Sequence, residues 1–126
     1  MTLHIELPGL PPKECSPNWR GHWAAKADAV KLYRQDAGWR AVFATGDYAR
    51  ANGEKWTAPD HATMHVTFIV PDNRRRDKTN MASAFKPALD GLVDAGIIQD
   101  DSHQHLDDQY HIEVRKGRSV TIVEVS

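Results

Sequence analysis

Trp23, Ala27, Val30, Tyr33, Ala37, Ala41 and Ala44 recur at helical spacing and share one face of a segment running from about Trp19 toward Thr45. A helix of that length constrains everything else the chain can form, because its apolar face must be covered by another layer. Asn18 is the expected cap and Gly46 the expected stop, while Gly38 stands inside the pattern as a possible break. Leu32, Trp39 and Phe43 fall on the opposite side of the same helix, so a second contact surface is expected there.

The covering layer reads as a sheet. Residues 3–7, LHIEL, alternate as a strand and stop at the turn-rich PGLPPKECSPN. Residues 62–70, ATMHVTFIV, form a β-rich run that ends at Pro71. Residues 109–115 and 120–125 suggest a terminal hairpin across Lys116, Gly117 and Arg118, and Gly96–Ile97–Ile98 suggests the entry to another strand. A second helix is expected from Asn80 to Ala95, closed by Gly96. The fold class is therefore α+β: a small mixed or antiparallel sheet packed with two main helices, in one domain spanning residues 1–126.

Composition narrows the class of function. A net charge of -1 excludes a generic basic DNA coat, so nucleic-acid contact must come from local patches. The lone Cys15 leaves no disulfide framework and suits a reducing cytosol; no paired histidine marks it as a nucleophile. No secretory leader pattern opens the chain and no segment is long and apolar enough to span a membrane, so a soluble, cytoplasmic protein is expected.

The local patch lies in PDNRRRDKTNMASAFKPALDGLVDAGIIQDDSHQHLDD, residues 71–108. Within the second helix Met81, Phe85, Leu89, Leu92 and Val93 share an apolar arc, and Ser83, Lys86, Asp90 and Asp94 lie opposite. Lys86 and Asp90 are spaced to meet, and Pro87 must kink the helix or start its regular part. Asp77 follows Arg74, Arg75 and Arg76, and Asp100 and Asp101 follow the helix. Carboxylates converging from these edges suit Mg²⁺, a hard cation preferring oxygen. Such an ion activates water and neutralises charge on a phosphodiester, with Lys86 beside the phosphate and the arginines on the flanking backbone.

These residues carry a resemblance. The run RRRDKTNMASAFKPALDGLVDAGIIQDDS is similar to the core signature of the RusA-like Holliday junction resolvases: an arginine-rich approach, R-D-x-D-N, a lysine-bearing helix ending D-x-L-x-x-A-G, and a closing acidic pair. IELPGLPPKECSPNWRGHWAAKADAVKLYR resembles that family's opening strand, proline turn and long helix. The resemblance implies that Asp77, Asp90, Asp100 and Asp101 hold Mg²⁺ (or Mn²⁺), that Asp77, Lys86 and Asp101 are catalytic, and that Asn80 is the motif asparagine. It implies that Arg74, Arg75, Arg76 and Lys86 contact DNA. It further implies a homodimeric endodeoxyribonuclease, often encoded by prophages, that nicks four-way DNA junctions. One departure stands out: Thr79 occupies the place of the second aspartate of D-x-D-N, and the stretch from Asn80 to Lys86 is longer than in the short form of the motif. A junction-binding or scaffold protein of the same fold, weakened in catalysis, is the alternative.

The remaining polar and aromatic groups divide more plainly. His61, His65, His103, His105 and His111 lack a cysteine partner or an H-E-x-x-H helix, so hydrogen-bonded or solvated roles are expected ahead of zinc. Trp19, Trp23, Trp39 and Trp56 are expected in the core or a dimer interface ahead of base stacking.

Overall fold

The computed structural model describes residues 1–126 as an α+β fold. Strands β1 (Leu3–Pro8), β2 (Ala62–Val70), β3 (Leu106–Val114) and β4 (Val120–Val125) form one mixed sheet in the order β1-β4-β2-β3. Helix α1 (Trp23–Asn52) joins β1 to β2, and helices α2 (Lys78–Ala84) and α3 (Lys86–Asp94) join β2 to β3. Alternate residues of β1, β2 and β4 (Leu3, Ile5, Leu7; Met64, Val66, Phe68; Val123, Val125) are buried and belong to one core of 23 residues.

The expected terminal hairpin does not form. β3 pairs in parallel with β2, and β4 lies between β1 and β2, antiparallel to both. The reason is the apolar content of the strands. β2 and β4 bury most of their residues and take the centre, whereas β3 is exposed over most of its length and takes an edge. The connection over Lys116–Gly117–Arg118 therefore crosses the end of β2. The Arg115 amide donates to the Val70 carbonyl at 2.9 Å and the Gly117 amide to the Pro71 carbonyl at 3.2 Å. Gly117 turns there with φ 75°, in the left-handed region.

The long helix is present, shifted toward the C-terminus. Its cap is His22, whose Nδ1 accepts from the Ala24 amide at 3.1 Å, and its stop is Gly53 at φ 73°, not Asn18 and Gly46. Tyr33, Ala37, Ala41, Ala44 and Tyr48 form its buried face. Trp23, which the periodicity includes in that face, is exposed at the helix start. Gly38 does not break the helix; it marks where α3 crosses. A Cβ on Gly91 of α3 would lie 2.3 Å from the Arg34 carbonyl oxygen and 3.0 Å from the Gly38 amide nitrogen, so the two backbones meet where side chains are absent. Beside the crossing, Arg34 Nε and Nη2 donate to the Asp94 carboxylate at 2.7 and 2.8 Å.

The second helical segment is two helices hinged at Phe85 rather than one from Asn80 to Ala95. Asp77 caps α2, its Oδ1 accepting from the Asn80 amide at 3.2 Å. Pro87 falls in the first turn of α3, where its missing amide costs no helical bond. The buried Phe85 ring packs edge-on against Tyr33, Phe68 and Tyr110, fixing the hinge in the core. Gly96, φ 76°, ends α3 as expected, with Ile97 donating back to Leu92 and Gly96 to Val93. Ile97 and Ile98 then plug the core without forming a strand. No helix is long and apolar enough to cross a membrane.

Gly91→Ala and Gly38→Ala should differ sharply in urea unfolding. The first drives a Cβ into backbone and should destabilise by about 3 kcal/mol or more. The second meets only an ordinary contact at 3.4 Å, so improved helix propensity should hold its cost within ~1 kcal/mol. Equal costs would show that backbone contact at Gly91 does not set the crossing.

Candidate active site

The candidate site is built on the solvent face of α3. Lys86 opens that helix and Asp90 follows one turn later, so their side chains meet at 2.7 Å. Asp101 reaches the same ammonium from the loop that leaves the core at Ile97 and Ile98. Lys86 Nζ thus donates to both Asp90 Oδ1 and Asp101 Oδ2, an ammonium bracketed by two carboxylates. All three groups remain open to solvent, with side-chain exposures of 52, 32 and 34%. They are therefore accessible to a substrate and contribute little net stability.

Their ionisation follows from this contact. The hydrogen bond from Lys86 holds the Asp101 carboxyl below its ordinary value. Partial burial pulls the Lys86 ammonium down, but the bonds and charges of Asp101 and Asp90 outweigh it and raise its pKa overall. Asp101 contributes its part while pH is above its unfolded pKa and loses it as pH falls through the depressed folded value. Lys86 contributes below its unfolded pKa and loses its part as pH rises through the raised folded value. At neutral pH both partners of the contact are charged.

Lys86 and Asp101 line an open basin of about 470 Å³ with Thr79, Ser83, Leu89, Asp108 and Tyr110. Sequence reading missed Asp108 and Tyr110; their only signal was the two-residue spacing that puts both on one face of β3. Tyr110 donates its hydroxyl to Asp108 Oδ2 at 2.8 Å while its ring stacks on Phe68. Burial, then the Asp108 carboxylate, push the Tyr110 phenol well above its ordinary pKa, so it stays a neutral donor. Thr79, standing where the resemblance expects an aspartate, faces this same basin.

The four carboxylates expected to form one ligand set do not gather. No three His, Cys, Asp or Glu side chains converge with metal-holding geometry. Asp77 lines a different depression, with Arg76, Asn80 and Met81, because its carboxylate serves the start of α2. Asp100 turns one oxygen onto the Asp101 amide at 2.9 Å. What remains is the pair Asp90 and Asp101, each with one oxygen on Lys86. Two hard carboxylates with room for water fit Mg²⁺ by ligand type, though they supply fewer charges than four aspartates would.

The expected arginine cluster separates into two roles. Arg76 is a loop clamp: its guanidinium donates to the Asp72 and Arg74 carbonyls at 2.9 and 3.0 Å, pairs with the Asp72 carboxylate, and is only 11% exposed. Its expected part in DNA contact thus competes with holding the loop, which takes both Nη1 hydrogens and one from Nη2. Arg74 and Arg75 stay exposed. The strand crossing places Arg115, Lys116 and Arg118 next to this loop, a basic rim that sequence reading passed over as a hairpin turn. Arg115 and Arg118 pair with Glu113 and Glu6, and Lys116 has no ion-pair partner.

The histidines make hydrogen bonds. His61 Nδ1 meets the Gln104 carbonyl at 3.2 Å, His105 Nδ1 meets the Asp60 carbonyl at 2.7 Å, and His65 and His111 meet each other at 3.3 Å. Burial raises the Cys15 thiol, which makes it a poor nucleophile. Trp56 packs on Tyr48 and donates to the Ile97 carbonyl, so it belongs to the structure's interior framework.

No protein-family model matches this chain. An uncharacterized protein of Xylella fastidiosa is similar to it, 34% identical over 115 residues that cover 89% of this chain and 69% of that protein.

Lys86→Met should raise the Asp101 titration midpoint toward the ordinary carboxylate value, followed by carboxyl ¹³C NMR across an acid titration. An unchanged midpoint would mean that the contact between Lys86 and Asp101 is not held in solution.

Proposed function

This chain belongs to one family with that Xylella fastidiosa protein, and we propose that it acts as a RusA-like, Mg²⁺-dependent endodeoxyribonuclease that nicks four-way or related branched DNA. The observation that carries this reading is the Lys86 ammonium bracketed by Asp90 and Asp101, open to solvent, beside the basin that Lys86, Asp101 and Thr79 line. Phosphodiester hydrolysis forms one bond from water oxygen to phosphorus, breaks the bond to a sugar oxygen, and returns a proton to that oxygen. Lys86 is the cation suited to meet the charge that builds on the phosphoryl oxygens, or to protonate the leaving oxygen. Asp101 and Asp90 orient that ammonium and keep it charged. Asp90 and Asp101 would hold Mg²⁺ or Mn²⁺, which supplies Lewis-acid polarisation of a phosphoryl oxygen when bound. Arg74, Arg75 and Lys116 would bind flanking phosphates, fixing register without reading bases.

A second reading has its own observation. Lys86 already takes one oxygen of each carboxylate and cancels one of their two charges, and Thr79 adds no charge to the basin. A protein that binds junctions without cutting them is consistent with that balance. Incubating the chain with a labelled four-way junction, with and without Mg²⁺, separates the two. Mg²⁺-dependent nicking is expected; a mobility shift without nicking at every Mg²⁺ concentration would leave the binding protein, and neither result would sink both.

Two variant sets sharpen the outcome. Asp101→Asn should slow nicking by roughly 100-fold or more while junction binding persists. Thr79→Asp should lower the Mg²⁺ concentration for half-maximal nicking, because it adds a hard anion to the basin that Asp101 lines. An equal or higher requirement would show that the site is not short of charge.

Phosphate contacts are tested by salt. Replacing Arg74 and Arg75 together with Ala should flatten the slope of log affinity against log salt by about 2. Arg76→Ala should instead loosen the 72–76 loop and lower stability. A slope unchanged in the Arg74/Arg75 variant would remove both residues from the DNA contact.

A further inference from the structure

Histidines gather on the outer face of the sheet, the side turned away from the core. Along β2, Met64, Val66 and Phe68 point inward, so His65 and Thr67 between them point outward. Along β3, Tyr110 lines the basin, so Gln109 and His111 on either side of it face the opposite way. His4 of β1 sits between the buried Leu3 and Ile5, and Glu124 of β4 between the buried Val123 and Val125. His4, His65, His111 and Glu124 therefore share the solvent side of the sheet.

The strand order brings these side chains into one row. Because β4 lies between β1 and β2, Glu124 stands directly opposite both His4 and His65. On its other side His65 stands opposite Gln109, and His111 follows two residues along β3. His65 Nδ1 and His111 Nε2 are 3.3 Å apart, with ring planes 13° from parallel, although 46 residues separate them in the chain. The row holds no lysine or arginine, and Glu124 enters none of the chain's ion pairs.

A nitrogen spacing of that size has a chemical meaning. Two imidazole nitrogens bound at roughly 2.0–2.1 Å to one tetrahedral Zn²⁺ stand about 3.3 Å apart. The hydrogen bond between the two rings already holds them at that spacing, and a metal ion can take the place of the shared hydrogen. Both rings are reachable from solvent, and the χ2 well of histidine is broad. Turning the rings therefore directs two lone pairs at one ion without moving either strand. Glu124, directly across from His65, is the carboxylate of the row, and water fills the remaining positions.

We propose that His65 and His111 form a Zn²⁺ site that clips strand β3 to β2, with Glu124 as the carboxylate available to the ion. β3 is an edge strand, held along one side only and by a parallel ladder. The two imidazoles come together only when β2 and β3 pair, so binding the ion stabilises that pairing. The clip thereby steadies the strand that carries Asp108 and Tyr110 to the basin. Chemistry and place both separate it from the basin. Imidazole suits Zn²⁺ where carboxylates suit Mg²⁺, and His111 lies on the other side of β3 from Tyr110. The site does not depend on the nuclease reading.

Isothermal titration of the whole chain with Zn²⁺ tests the proposal. One ion per chain should bind, and His65→Gln and His111→Gln should each weaken binding by roughly 10-fold or more. Replacing both should cost less than the two single losses combined, since the same ion is lost in each. His111 stands on the exposed edge strand, so its variant keeps the test if His65→Gln disturbs the fold of β2. His103→Gln, an exposed histidine outside the row, is the control for adventitious binding and should leave the affinity unchanged. Amide hydrogen exchange gives a second readout: Zn²⁺ should slow exchange of the β3 amides that pair with β2 in the wild type, and not in His111→Gln. No binding by the wild type, a loss in His103→Gln equal to that in the His65 and His111 variants, or binding that leaves β3 exchange unchanged would overturn the proposal.

Discussion

The close crossing of α1 and α3 at Gly38 and Gly91 is the contact on which the rest of this structure depends. With a Cβ at Gly91 the helices would have to separate, since that atom would sit inside the Arg34 carbonyl. Because they meet backbone to backbone, α3 presents its apolar side inward through Ala88, Leu89 and Leu92 and turns Lys86, Asp90 and Asp94 outward. Asp94 is then taken by Arg34, which braces the crossing. Lys86 and Asp90 are left for chemistry. The candidate site and the exposed outer face of α1 are thus two consequences of one packing decision.

A similar economy governs the sheet. The strand with the most apolar residues must be paired on both edges and covered by the helices, which makes β2 central and β3 marginal. As an edge strand, β3 is free to present Asp108 and Tyr110 to the basin. Its exit over the end of β2 brings the basic 115–118 turn against the arginine loop. Phe85 ties these parts together: it hinges α2 to α3, contacts Tyr110, and sets where Lys86 begins its helix.

Much of this was legible in the sequence, for reasons of range. The strands at 62–70 and 120–125, the stop at Gly96 and the pairing of Lys86 with Asp90 are local, set by alternation, a left-handed glycine and the helical repeat. The start of α1 was misplaced because His22, a less common cap, outcompetes Asn18, whose amide is taken into a turn with Ser16. The parallel pairing of β3 was not legible, because it follows from comparing the burial of all four strands rather than from any turn signal. Asp77 was legible only as a motif residue; that the same position makes it the cap of α2 shows only in the structure. Asp101 meets Lys86 only because Ile97 and Ile98 anchor the intervening loop, and that is a fact of packing.

On the proposed function, the divalent cation belongs at the Lys86–Asp90–Asp101 cluster and the basin beside it rather than in the depression at Asp77. Paramagnetic broadening of amide NMR signals by Mn²⁺, added at substoichiometric amounts, locates the ion directly. Broadening that centres on Thr79, Asp90 and Asp101, and that Mg²⁺ reverses by competition, is the expected result. Broadening that centres on Asp77 and Asn80, or that spreads over the surface acids without a centre, would place the cation elsewhere or nowhere in particular.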